Sequence, residues 1–566
     1  MINKIYRLPI LEKLLISWGL FWGILGLFLF GLGLIGLFYR FLIILIFVVY
    51  SIGFLFLGRK FILWQDLKLF FKNIYNNLIK DRVLIIFALI FLLFFILNFL
   101  AALAPELGYD ALWYHLTLPK IWLMTHQISY LAGTSIYYSV MPRLAEIFFS
   151  VGLSFDTTGT VSKIIHLFFG LFWFLGILIF VRLFLTKRIS FLMAVTVYGT
   201  VWISWLSQTA YIDLVIAFYV LLSIYYFFRY LQSREELFLI LSAVFMGFNL
   251  ASKIYGLNIF AVLSLIIFIK AGWRKSAKFI IIPLLLVLPF YLQAYLATGN
   301  PFYPVFSIRD STLNTYLGGF HTLQDWYLHV WWRALPKLLS RVLFEDFTPV
   351  FGFVLYLVLL GNWRKIILPT IIFILFFLFW SLVPMQEPRY FLVILPVLAY
   401  LIGEAIEQTN YHWQRYLVYS LMFIALIANF FIIFKDYQKS FVYLSGKQSK
   451  IDYLKENLPL TRNFYDADGF FKKTIKSDDK VLTVEIGNMF YINFPFWDWS
   501  FIAERENYLQ SPEILSRKLK EDGFTYILLG KINLEEFSKM PPQDLEKYFE
   551  IIYKNGYYSL YKIKEI

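Results

Sequence analysis

Asp110 stands in GYDALWYHLTLPK (108–120), within a polar and aromatic stretch, 104–146, set between two runs apolar enough to cross a membrane. A carboxylate just outside a membrane surface can take the proton from an attacking hydroxyl. The same carboxylate can do no more than cap a short helix beside an aromatic interface belt, and residue type alone leaves both readings open. Glu106 is the nearest second acid, and His115 is placed to contact a bound substrate. Asp213, Lys253 and Arg389 lie at the ends of other apolar runs, where a charge is costly to bury and therefore a candidate for binding. Lys253 and Arg389 suit a phosphate, Arg through two parallel N–H bonds, and both would stabilise negative charge on a departing group. They can also snorkel, or pair with Asp213 and Glu387, for folding alone.

A second group, His321, Asp325 and His329, has the i, i+4, i+8 spacing that would line one helix face and hold a divalent metal. In a loop crowded with Trp326, Trp331 and Trp332, and with no thiolate nearby, these read as ordinary surface groups, so no metal or other cofactor is expected. Trp113, Tyr114, Tyr137 and Tyr138 read mainly as an interface belt, a minority of such rings being available to stack on sugar faces.

The elements that must position these residues are membrane helices. Of 566 residues 60% are hydrophobic and 21% aromatic, and only 16% are charged, against about a quarter in soluble domains. The net charge of +14 collects in short connections between apolar runs, the pattern that orients membrane proteins rather than one that binds nucleic acid. The chain has no cysteine, which excludes disulfides and thiolate chemistry. About 13 spans are expected: 14–37, 41–58, 83–103, 162–185, 189–206, 211–231, 237–252, 255–270, 279–298, 348–362, 366–384, 390–408 and 416–434.

With the basic connections inside, the N-terminus is cytoplasmic. Loops 104–161, 299–347 and 385–389 and the tail from 435 then share the outer face of the plasma membrane. Residues 61–80 repeat apolar side chains at helical spacing and read as an interfacial helix. In the tail, VLTVEI (481–486), TYILLG (525–530) and YYSLYKI (557–563) read as strands and 511–522 as a helix opened by Ser511 and Pro512. The expected organisation is 1–82, two helices plus the interfacial one; 83–434, a transmembrane catalytic core; and 435–566, a small extracytoplasmic α/β domain.

Five segments in order carry a resemblance: GYDALWYHLTLPKIWLMTHQI after a span, QTAYIDL (208–214), MGFNLASKIYGL (246–257), GNPFYPVF (299–306) and EPRYFLVILP (387–396). Together, over roughly 83–410, they resemble the GT-C glycosyltransferases, and more narrowly the protein mannosyltransferase and aminoarabinose transferase group (glycosyltransferase families 39 and 83). The resemblance implies a first-loop catalytic acid at Asp110. Many relatives have an adjacent Asp-Glu pair, whereas the neighbour here is Ala111, which raises the question of whether Glu106 assists.

The expectation is an inverting transfer from a polyprenyl-phosphate-linked sugar to an acceptor hydroxyl on a protein, lipid or glycan. Asp110 would be the general base, and Glu106, His115, Asp213, Lys253 and Arg389 would contact substrate. A phosphate leaving group is already a stable anion, so one carboxylate suffices, unlike the pair in glycosidases. Two alternatives stand beside it. One is an O-antigen ligase or polymerase type of enzyme on lipid-pyrophosphate glycans, which Arg309, Arg333 and Arg341 would serve. The other is a non-enzymatic flippase or transporter of lipid-linked glycans.

Overall fold

The computed structural model describes residues 8–59, 64–78, 80–131, 138–303, 336, 363–382, 387–409, 411–461, 463–502 and 504–564. Nine described helices are long and apolar enough to cross a membrane, and shorter apolar helices, Glu236–Ser252 and Leu257–Ala271 among them, pack between them. This is the polytopic helical membrane protein that the composition dictates. The expected span 348–362 lies outside the described residues.

Helix Asp213–Ser233 is the axis of the bundle. Its residues from Asp213 to Phe228 are all buried, as an all-round apolar helix must be. Helices Thr160–Arg182 and Glu236–Ser252 flank it. The hairpin of Ile10–Leu34 and Arg40–Gly58 is fastened to the same core by Glu12, 2.6 Å from Arg229. The stretch 61–80 contains a helix, Trp64–Leu78, and its Asp66 lies 3.4 Å from Lys13.

Two expectations need correction. The run 189–206 is not one span but two helices, Lys187–Tyr198 and Val201–Leu206. A side chain at Gly199 would collide with Leu426, and Asn429 Nδ2 donates to the Gly199 carbonyl at 3.0 Å. The break is thus compensated from helix His412–Leu444. Nor is 104–161 an open loop. It contains a short π-turn, Ala111–His115, and helices Thr117–Thr125 and Leu144–Phe155. The last of these is buried against the first helix, with Leu144 and Phe148 filling the space that Gly26 leaves.

Helix His412–Leu444 has 33 residues, so at ~1.5 Å per residue it is about 50 Å long and outruns the ~30 Å apolar core before handing over to the tail. The tail folds as a five-stranded sheet of order β2-β1-β3-β5-β4, with β1 Val481–Val484, β2 Phe496–Asp498, β3 Tyr526–Gly530, β4 Phe549–Lys554 and β5 Tyr558–Ile563. β1 runs parallel to β2 and β3, while β5 is antiparallel to β3 and β4. Ser511 caps helix Pro512–Glu521 by accepting from Ile514 N at 3.2 Å. Because strand side chains alternate, Leu482, Val484, Ile527 and Leu529 pack with that helix, while Val481 and Leu528 join the larger core shared with the membrane region.

Candidate active site

The site begins with how its first loop is held. Glu106 is buried, and one carboxylate oxygen accepts from Leu107 N at 2.9 Å and Gly108 N at 2.6 Å. The other oxygen accepts from Ala210 N at 2.6 Å. Three backbone N–H groups on one carboxylate join the loop after helix Arg82–Ala102 to the connector that opens helix Asp213–Ser233. Gly108 makes this approach feasible, since a Cβ there would lie 2.7 Å from the Tyr211 ring. Lys163 Nζ adds a bond to Ala104 O at 2.5 Å.

Asp110 follows at the start of the π-turn. Its N–H donates to Tyr211 Oη at 3.1 Å, and its Oδ2 accepts from Tyr114 Oη at 3.3 Å. The same oxygen lies 2.6 Å from Arg389 Nη2, the two side chains being 14% and 11% exposed. Arg389 comes from the 3₁₀ turn Pro388–Ile394, and its guanidinium stacks over Tyr211 at 4.9 Å and Tyr390 at 5.3 Å. Lys253 leaves the end of helix Glu236–Ser252 in an extended conformation and places Nζ 4.7 Å over the same Tyr390 ring.

Asp213, Lys253 and Arg389 line one cleft, whose wall continues through Ile216, Val220, Phe376 and Trp380. A polar end joined to an apolar flank is the form that a phosphate on a hydrocarbon tail would require. Asp213 is buried, and among the described residues its Oδ2 has no hydrogen-bond partner.

His115 is fully buried behind this surface, with Nδ1 2.8 Å from Glu146 Oε1. Burial holds its pKa well below the ordinary imidazole value, with Lys253 and Arg389 acting in the same direction. The structure therefore brings Asp110, Asp213, Lys253 and Arg389 together, while Glu106 and His115 support them from within. His321, Asp325 and His329, and Arg309, Arg333 and Arg341, lie outside the described residues. Among the described residues no cluster of three or more His, Cys, Asp or Glu could hold a metal.

Sequence reasoning missed Glu146, Tyr114, Tyr211 and Tyr390 as parts of the site. Tyr114 is four residues from Asp110, a spacing that faces it on a helical turn. Tyr211 and Tyr390 adjoin recognised charges in QTAYIDL and EPRYF. Nothing in the sequence marks Glu146 as the partner of His115.

Above the site sits the tail. Tyr491 Oη donates to the Glu106 carbonyl at 2.7 Å. Lys120 Nζ, from helix Thr117–Thr125, donates to the carbonyls of Phe490, at 2.8 Å, and of Ile492. Burial pulls the Lys120 pKa down to about 7.

No family model matches the chain, and no curated protein sequence does. Its fold is nevertheless shared with solved structures. Those of ArnT from Cupriavidus metallidurans, bound to undecaprenyl phosphate and in the apo state, superpose with TM-scores of 0.51 and 0.50 at 12% identity, over 84% of this chain and 97% of theirs. Over most of its length the chain therefore has the fold of ArnT.

Proposed function

We propose that the chain is a membrane glycosyltransferase that moves a sugar from a polyprenyl-phosphate-linked donor to an acceptor hydroxyl, with inversion, at the membrane face where Asp110 lies. The observation that carries this reading is the contact of Asp110 with Arg389 at the rim of the cleft shared with Lys253 and Asp213. A base and a phosphate-binding cation there sit within one contact distance. Undecaprenyl phosphate in the ArnT structure of the same fold supports a donor of that class. The basic connections at the other ends of the helices favour a cytoplasmic N-terminus and an outward site, in the plasma membrane.

In this reading the donor's hydrocarbon tail runs along Phe376, Trp380 and Val220, and its phosphate lies between Lys253 and Arg389. The acceptor oxygen attacks the anomeric carbon while its proton passes to Asp110. The bond from that carbon to the phosphate oxygen breaks as the new one forms on the opposite side, which inverts the centre. The released polyprenyl phosphate carries the negative charge, and the two cations stabilise it. Arg389 has five N–H donors in a planar fork, enough to touch Asp110 and a phosphate together.

The test is sugar transfer from a polyprenyl-phosphate donor pool by wild type and Asp110→Asn at equal protein levels. Loss of transfer by about 100-fold or more with donor binding retained is expected for a missing general base. Unchanged transfer would remove Asp110 from that role.

A further inference from the structure

A polar cavity lies at the membrane face opposite Asp110. Asp81 caps the start of helix Arg82–Ala102 beside this cavity, and the far end of that 21-residue helix leads into the Asp110 loop; the two ends are therefore ~30 Å apart. The cavity has a volume of about 170 Å³, and Arg188, Glu407, His412, Arg415, Tyr416 and Tyr419 are among its lining residues. It belongs to none of the chemistry described above.

Each guanidinium group has a polar neighbour. Arg188 Nε lies 3.1 Å from Asp81 Oδ2, and its plane covers the Tyr419 ring at 5.2 Å. Arg415 donates from Nε to Thr409 O at 3.0 Å and from Nη2 to Glu407 O at 3.1 Å. These contacts use few of the five donors on each group. The carboxylate in the lining, Glu407, already accepts from Thr186 N at 3.0 Å. Arg188, His412 and Arg415 thus line a space large enough for a tetrahedral oxyanion. Beside it, Tyr411, Trp413 and Tyr416 are 64%, 63% and 57% exposed, a cluster of aromatic rings typical of the headgroup level.

We propose that this cavity is a phosphate-binding site, filled by the headgroup of an anionic lipid or by a soluble phosphate. Arginine forks match phosphate oxygens, and the aromatic rim places the cavity where lipid headgroups lie.

The test uses the purified full chain in nanodiscs of phosphatidylcholine alone, of phosphatidylcholine with phosphatidylglycerol, and of phosphatidylcholine with inorganic phosphate in the buffer. Thermal midpoint is measured in all three, and lipid retention by native mass spectrometry in the second. At least one ligand is expected to raise the midpoint of wild type, with the effect lost in Arg188→Gln/Arg415→Gln. An effect of phosphatidylglycerol alone identifies the lipid as the source, and an effect of inorganic phosphate alone identifies the soluble anion. Glu407→Gln keeps an oxygen for Thr186 N and removes the opposing charge, so affinity should rise about threefold, a gain that misfolding cannot produce. No effect of either ligand on wild type, or an effect unchanged in both variants, overturns the proposal.

Discussion

Arg389 Nη2 and Asp110 Oδ2, 279 positions apart in the chain, lie 2.6 Å from one another. Read from the sequence they have separate tasks, one on phosphate and one on a proton; in the fold they are a nearly buried pair. Removing one partner leaves the other charge uncompensated, which costs about 3–5 kcal/mol at buried sites. Arg389→Gln should therefore lower the thermal midpoint more than Arg389→Gln/Asp110→Asn does. A double-mutant cycle should return a coupling of about 1 kcal/mol or more. Additive effects would mean that the pair carries no energy of its own.

Glu106 gives a prediction of a different kind. A Gln there offers one acceptor oxygen where the carboxylate offers two, and its amide N–H groups oppose the backbone donors of Ala210 or of Leu107 and Gly108. Glu106→Gln should cost about 1–3 kcal/mol of stability, while donor affinity in the folded fraction stays at the wild-type level. Denaturation and donor-binding curves on the same preparation separate the two. A changed donor affinity at unchanged stability would give Glu106 a direct contact with substrate.

Lys120 should make the seat of the tail pH-dependent. Its pKa falls from an ordinary 10.5 to about 7 on burial, so between those values the unfolded chain holds more protons than the folded one. Stability must then rise with pH from about 7 towards 10.5. A single group exchanges at most one proton, so the slope cannot exceed ~1.4 kcal/mol per pH unit. Thermal midpoints across that range should rise for wild type and flatten for Lys120→Met.

The link from Tyr491 to the Glu106 carbonyl bears on the Asp110 loop itself. The chain has no cysteine, so Tyr109→Cys introduces a single thiol beside Asp110 at a position 46% exposed in the wild type. Adding Tyr491→Phe removes one hydrogen bond, a loss of about 1 kcal/mol. If the tail steadies the loop, thiol labelling by a membrane-impermeant maleimide should quicken by about fivefold. An unchanged rate would mean that the loop is held by Glu106 and Lys163 alone.

Much of this was legible in the residues because membranes restrict what a sequence can do. Long apolar runs with basic ends predict helices to within a few residues, as at Arg40–Gly58 and Arg82–Ala102. What escaped was tertiary. The break at Gly199 depends on Leu426 and Asn429 from a distant helix, which no local pattern announces. Glu146 sits in a helix that reads as the end of a loop, and its partner His115 is 31 positions away.

In the tail, β2 has three residues, too few for a periodic signal. β4 had one available, since Asn555-Gly556 before β5 is a hairpin turn pair, and Asn555 Oδ1 accepts from Tyr557 N and Tyr558 N at 2.8 and 2.7 Å. Asp110, Lys253 and Arg389 could be named from type and position, but not the aromatic rings that orient them.

The residues after β1 join the tail to the first loop through Tyr491 and Lys120, and this limits how such proteins can be recombined. A tail exchanged between relatives would bring its own 488–492 segment to a loop shaped for another. Working chimaeras should therefore need 104–131 and 445–564 to travel together, and natural variation in one is expected to be matched in the other.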